Sequence, residues 1–179
     1  MAIRKIAKLG HPVLRQIAEA IPVSEIMSQE TQTLIDDLIE TCLDANGAGL
    51  AAPQIHESKR IVILDLEEDE DEKYTIWINP IITPMTEEGM LTFEGCLSIP
   101  GLRGGVIRPH RIKVSGYTEK GEAFERELEG FSAVVSQHEC DHLDGILYVD
   151  RVETPTLAYL EEHRKYADDL LEMSFQGED

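Results

Sequence analysis

The stretch Phe131-Ser-Ala-Val-Val-Ser-Gln-His-Glu-Cys-Asp-His-Leu143 decides how this chain is read. It has helical character from about Phe131 to Leu143, and Gly145 ends it as an αL-tolerant residue does. His138 and His142 stand at i and i+4, so both imidazoles fall on one helix face and can reach a single ion. Glu139 sits one residue round, close enough to handle the proton of a water at that ion without being a ligand. Val134, one turn before His138, keeps this side apolar, and a dry surrounding strengthens every charge interaction within it. Cys140 is about 200° round the helix from His138 and reads as packing. Two surface histidines can also meet by chance, so a catalytic metal site requires a third protein ligand from elsewhere.

Three sources for that ligand present themselves. The long His-Glu-x-x-His-x-x-Gly-x-x-His pattern puts a histidine three residues after Gly145, but Tyr148 stands there. A downstream glutamate, Glu161 or Glu162, would make the chain a zinc endopeptidase. Both lie in a helix so acidic that an exposed face accounts for them. Cys96 remains, in Glu94-Gly-Cys-Leu-Ser98, beside a glycine that permits close backbone approach. A metal-stabilised, non-enzymatic interaction module is a further alternative. A structural site, however, is closed by a fourth ligand and has no use for Glu139.

Outward from this helix the pattern is mixed. Gly10-His11-Pro12 reads as a turn feeding a short helix, since proline suits the first helical position. Ser28 to Leu43 is an amphipathic helix: Leu34, Leu38 and Cys42 fall on one line, Ile35, Ile39 and Leu43 on the next. Asn46-Gly47 stops it. Short β-branched runs predict strands at 61–66, 74–78, 80–84, 96–99, 111–117 and 123–128. The first two flank six consecutive carboxylates, Glu67 to Glu72, whose mutual repulsion suits a solvated hairpin tip. A last helix is expected from Pro155 to about Met173, capped by Thr154. The expected architecture is α+β in a single domain spanning residues 1–179, mainly antiparallel β-sheets around a central metal-binding helix, with an N-terminal and a C-terminal helix.

Composition narrows the function classes. The 179 residues are 42% apolar, inside the globular range and enough for a real core. No run approaches the ~18–20 apolar residues that span a bilayer, and the N-terminus lacks the continuous apolar stretch of a secretory signal. Three cysteines are too few and odd in number for a disulfide framework, which fits a reducing, cytoplasmic setting. The net charge of −19, from 35 acids against 16 Lys and Arg, argues against direct nucleic-acid or membrane binding.

Three ordered segments, Gly47-Ala-Gly-Leu-Ala-Ala-Pro-Gln54, Glu94-Gly-Cys-Leu-Ser98 and Gln137-His-Glu-Cys-Asp-His142, closely resemble the three signature motifs of the peptide deformylases. The resemblance extends to Gly10–Arg15 and Pro100–Arg103, over roughly the first 150 residues. It implies that Cys96, His138 and His142 bind one divalent metal, with Glu139 as general base and then general acid. Iron(II) is implied in the cell, with zinc, nickel or cobalt able to replace it in a purified sample. Gln54 and the backbone N–H of Leu97 would donate to the developing oxyanion. Gly47, Gly49, Glu94, Gly95, Arg103 and Val134 would serve the substrate, and either Arg103 or Arg108 would pair with Glu94. The implied reaction is hydrolysis of the formyl group from N-formylmethionyl nascent polypeptides, releasing formate, by a cytoplasmic monomer. Transient contact with the ribosome is also implied. The eight acids against Arg164 and Lys165 after residue 151 argue that such contact would not use a basic C-terminal helix.

Overall fold

The computed structural model describes residues 2–66 and 73–175. The expected acidic hairpin tip at 67–72 lies outside the described residues.

Helix α1, Gln29–Asp44, begins where the Ser28 side chain accepts from the Thr31 backbone N–H at 3.2 Å, as the periodicity predicts. It ends at Asn46, whose φ of 54° is the left-handed conformation that asparagine tolerates. Strands β1 (Gly49–Ala51), β2 (Ile61–Leu64), β3 (Thr75–Pro84), β6 (Arg111–Tyr117) and β7 (Ala123–Glu129) form a five-stranded antiparallel sheet in the order β1-β2-β3-β6-β7. Strands β4 (Gly89–Cys96), β5 (Ile99–Pro109) and β8 (Ala158–Tyr159) form a second antiparallel sheet in the order β4-β5-β8. Helix α2 is Gly130–Leu143 and α3 is Leu160–Phe175. This is the α+β architecture expected.

The core explains the sequence of β2. Val62 and Leu64 pack with Trp77, Ile112 and Val114 against Ala133, Val135 and Leu143 of α2. Ile61 and Ile63 point the other way, into a second cluster with Ile35, Leu38 and Cys42 of α1. Both faces of the strand are covered, so four apolar residues in a row are all buried. Helix α2 is likewise buried nearly all round from Ala133 to Cys140, which is why it has no polar face. Cys42 and Cys140 are both buried packing residues. Among the described residues no helix is long and apolar enough to cross a membrane.

Three local expectations are corrected. The predicted strands at 74–78 and 80–84 are one strand, β3, interrupted by a register shift at Asn79, whose φ is 52°. The Asn79 side chain justifies the kink by exchanging two bonds with the Ile21 backbone, at 2.7 and 2.9 Å. The predicted strand at 96–99 is instead the tip of the β4–β5 hairpin, with Cys96 opposite Ile99 and Leu97-Ser98 as the turn. The last helix starts at Leu160 and not at Pro155. Thr154–Thr156 forms a single 3₁₀ turn, and Ala158–Tyr159 pairs with β5 before the helix begins.

Candidate metal centre

Helical spacing brings the His138 and His142 rings to a centroid separation of 5.1 Å, and the hairpin tip delivers Cys96 to the same point. Cys96 Sγ lies 3.3 Å from His142 Nε2, and one donor atom from each of the three residues falls within 4.8 Å of the others. All three side chains are buried. Glu161 and Glu162 are exposed on α3 and stand outside this cluster, so Cys96 is the third donor that the geometry offers.

The two histidines sit in opposite electrostatic settings. His138 Nδ1 lies 2.7 Å from Glu94 Oε2, which leaves Nε2 to face Cys96. Burial lowers the His138 pKa, but Cys96 and Glu94 outweigh it and raise it well above the ordinary value. His142 goes the other way: burial, then the charges of His138 and Arg108, hold it well below, so its imidazole is neutral. One sulfur and two imidazole donors, all buried, form a set whose chemistry suits a divalent transition metal.

Glu94 is the hub of a buried charge chain. Arg108 grips both its oxygens, with Nη2 at 3.0 Å from Oε2, and extends Nη1 to Asp141 at 2.8 Å. Asp141 is held from outside by Arg151 in a two-pronged pair at 2.8 and 2.9 Å. Burial opposes ionisation of Glu94, but the bonds from His138 and Arg108 win and keep it below the usual carboxylate range. The structure thus separates the two arginines: Arg108 pairs with Glu94, and Arg103 borders the cavity. Glu94, grouped above with the substrate residues, borders the cavity, and its two oxygens are hydrogen-bonded to His138 and Arg108.

Glu139 is 4% exposed and borders the cavity beside Cys96 and His138, and its Oε2 has no hydrogen-bond partner. Burial is the main cause pushing its pKa up to about 7. Gly49 makes room for it: a Cβ there would stand 2.7 Å from Glu139 Oε1.

Gln54 has a fixed orientation. Its Oε1 accepts from the Ala51 N–H at 2.8 Å, so the amide nitrogen points inward, 3.4 Å from Cys96 Sγ and 3.2 Å from Ser98 Oγ. The side chain is 1% exposed, and Gln54 borders the cavity.

These groups open onto a cavity of about 530 Å³ bounded by Gly47, Gly49, Gly95, Leu97, Arg103 and Val134, among others. Gly47 is fixed by its carbonyl, which accepts from the Tyr74 hydroxyl at 2.9 Å and from the Cys42 thiol at 3.4 Å. At Gly95 a Cβ would come within 1.6 Å of Arg103 Nη1, so glycine is what lets the guanidinium lie across the strand. The cavity runs between β1, an edge of the larger sheet, and β4, an edge of the smaller one. Sequence reasoning missed Asp141, Arg151, Ser98 and the half-exposed Phe131 at the cavity mouth. Asp141 lies inside the quoted motif, but nothing local marks it as the partner of two arginines.

Three grouped donors with no fourth in the cluster among the described residues match an open, catalytic type of metal site rather than a closed structural one, and a buried carboxylate beside them is in keeping with a hydrolase. Comparison with known proteins names the hydrolase. The family model described as polypeptide deformylase matches residues 3–157. A peptide deformylase of Leptospira biflexa is 44% identical over 165 residues, covering 88% of this chain and 92% of that one. An actinonin-bound class I type b peptide deformylase from Acinetobacter baumannii is 38% identical, with a TM-score of 0.79 over 86% of this chain and 100% of that one. A peptide deformylase from Thermotoga maritima gives 37% and 0.79, over 86% and 99%. The chain belongs to the polypeptide deformylase family. It is a hydrolase that removes the N-terminal formyl group from polypeptides.

Proposed function

We propose that Cys96, His138 and His142 hold one divalent cation, iron(II) in the cell and zinc, nickel or cobalt in purified samples, and that the substrate is the N-formylmethionine of nascent polypeptides. Bound there, the cation supplies a Lewis acid that makes water nucleophilic near neutral pH. Glu139 accepts the proton of the attacking water, a role to which a carboxylate poised near pH 7 is matched. It then returns that proton to the leaving amine nitrogen as the C–N bond of the formamide breaks, releasing formate. Gln54 Nε2 and the Leu97 N–H donate to the formyl oxygen as charge grows on it. Each such donor is worth about 2.7–4 kcal/mol elsewhere.

The peptide is held as an added strand in the cleft between β1 and β4, with Gly47 and Gly49 offering backbone at close range. Val134, Gly95 and Leu97 line the methionine side-chain pocket, and Arg103, lying across Gly95, meets the downstream backbone. The enzyme is read as a cytoplasmic monomer whose substrate emerges at the ribosome. With a C-terminal segment this acidic, any ribosome contact uses another face, and a pull-down with and without α3 tests that.

The observation that carries this reading is the buried, unpartnered Glu139 oxygen on a residue that borders the same cavity as Cys96, His138 and Gln54. Formate release from N-formyl-Met-Ala-Ser, measured anaerobically with metal content on the same sample, tests it. About one ion per chain with activity lost in Glu139→Ala is the expected result. Full activity in Glu139→Ala would overturn the proton role.

A further inference from the structure

We infer that the N-terminal segment 7–9 is a positioning strap for the metal centre, and that Lys8 tunes Cys96 through the Leu97–Ser98 peptide. The inference rests on the reading of Cys96 as a metal ligand.

Three bonds from consecutive residues reach the two motifs that flank the centre. The Ala7 N–H donates to the Gln54 carbonyl at 2.8 Å, and the Leu9 N–H donates to the Ser98 carbonyl at 2.9 Å. Between them, Lys8 Nζ donates to the Leu97 carbonyl at 2.7 Å. The strap therefore ties the backbone carrying one oxyanion donor to the hairpin tip carrying the other. Their separation is set by this segment as well as by the sheets.

Lys8 acts at a particular peptide. The unit whose oxygen it holds, Leu97–Ser98, is the one whose N–H donates to Cys96 Sγ at 3.4 Å. An ammonium on the carbonyl end withdraws electron density along that peptide and makes its N–H a stronger donor. A stronger bond to sulfur leaves the thiolate less electron-rich toward a bound ion. Among the described residues Lys8 has no carboxylate partner, although the chain carries 35 acids, so surface ion pairing does not explain where its ammonium sits.

The competing role for a lysine at the cavity rim is direct contact with the peptide substrate, and the two roles separate in the substrate-free enzyme. The test compares cobalt(II)-loaded wild type, Lys8→Met and Lys8→Arg. The methionine keeps the apolar stem, and the arginine keeps a cation on the carbonyl. Without substrate, the thiolate-to-cobalt charge-transfer band should move to lower energy in Lys8→Met and return toward its original position in Lys8→Arg. With N-formyl-Met-Ala-Ser, kcat should fall about tenfold in Lys8→Met with KM little changed, the low end of what lost outer-shell partners cost. An unmoved band with a raised KM would assign Lys8 to substrate contact and overturn the inference. Absence of the band in the wild type itself would instead remove Cys96 as a ligand, and with it the reading on which the inference rests.

Discussion

Replacing Glu139 by Gln in the metal-free protein should stabilise it, by an amount that grows with pH in a defined window. Burial is the largest cause that pushes the folded-state pKa of Glu139 from 4.5 to about 7, with Glu94 adding repulsion and His138 and Arg108 partly compensating. Below about pH 4.5 the carboxyl is protonated in both folded and unfolded chains and carries no ionisation penalty. Between about 4.5 and 7 the folded state still holds a proton that the unfolded state has released, so wild-type stability falls as pH rises. Above 7 the full difference of about 2.5 pKa units is present, roughly 3 kcal/mol at ~1.4 kcal/mol per unit. Glutamine keeps the shape without the charge, so the variant should match wild type at pH 4.5 and exceed it by about 3 kcal/mol at pH 8. Urea unfolding of both apoproteins across this range measures the difference directly. Loading zinc should shrink the gap, since a nearby dication favours the ionised carboxylate. A gap independent of pH in the apoprotein would refute the argument, because it would mean that Glu139 is not held protonated by its surroundings.

The remaining predictions concern how the centre is held. Glu94→Gln removes the negative charge behind His138 and should weaken metal binding about 10–100-fold, read by competition with a chromogenic chelator. Gln54→Ala should lower kcat about 10²–10³-fold while the metal content stays the same, measured as formate release alongside metal analysis. Gly49→Ala puts a methyl 2.7 Å from Glu139 Oε1 and must displace that carboxylate. A loss of about 10²-fold in kcat with the ion retained is expected, and unchanged kcat would mean that Glu139 has room the packing denies it.

What the sequence disclosed divides along one physical line: relations set by a single element's own period were legible, and relations set by the pairing of distant elements were not. His138 and His142 lie on one helix, so the 3.6-residue repeat alone puts them together. The amphipathic α1 was equally plain, down to its Ser28 cap. Cys96 meets His142 across 46 residues, and Gln54 meets Cys96 across 42, distances that no periodicity spans. Cys96 is reached in the sequence as the remaining candidate for a third donor, whereas Gln54 is singled out by the family resemblance alone. A hairpin tip that reads as a strand when taken alone is what carries Cys96 to the helix.

Arg108 shows why the charge chain behind the ligands could not be read. In Gly104-Gly-Val-Ile-Arg-Pro109, ordinary expectation buries Ile107 and exposes Arg108, yet Ile107 is 54% exposed and Arg108 is 3% exposed. Val106 is fully buried, and side chains on a strand alternate, so burying Val106 forces Arg108 inward and Ile107 out. The inversion is stable because the guanidinium that enters the core meets Glu94 and Asp141 there, with all three groups hydrogen-bonded. Removing Glu94 alone would leave the buried Arg108 paired with Asp141, and removing Arg108 alone would leave Glu94 bonded to His138. The register of one strand, which buries Val106 and Arg108 on the same face, is in this way what holds Glu94 between Arg108 and His138 Nδ1.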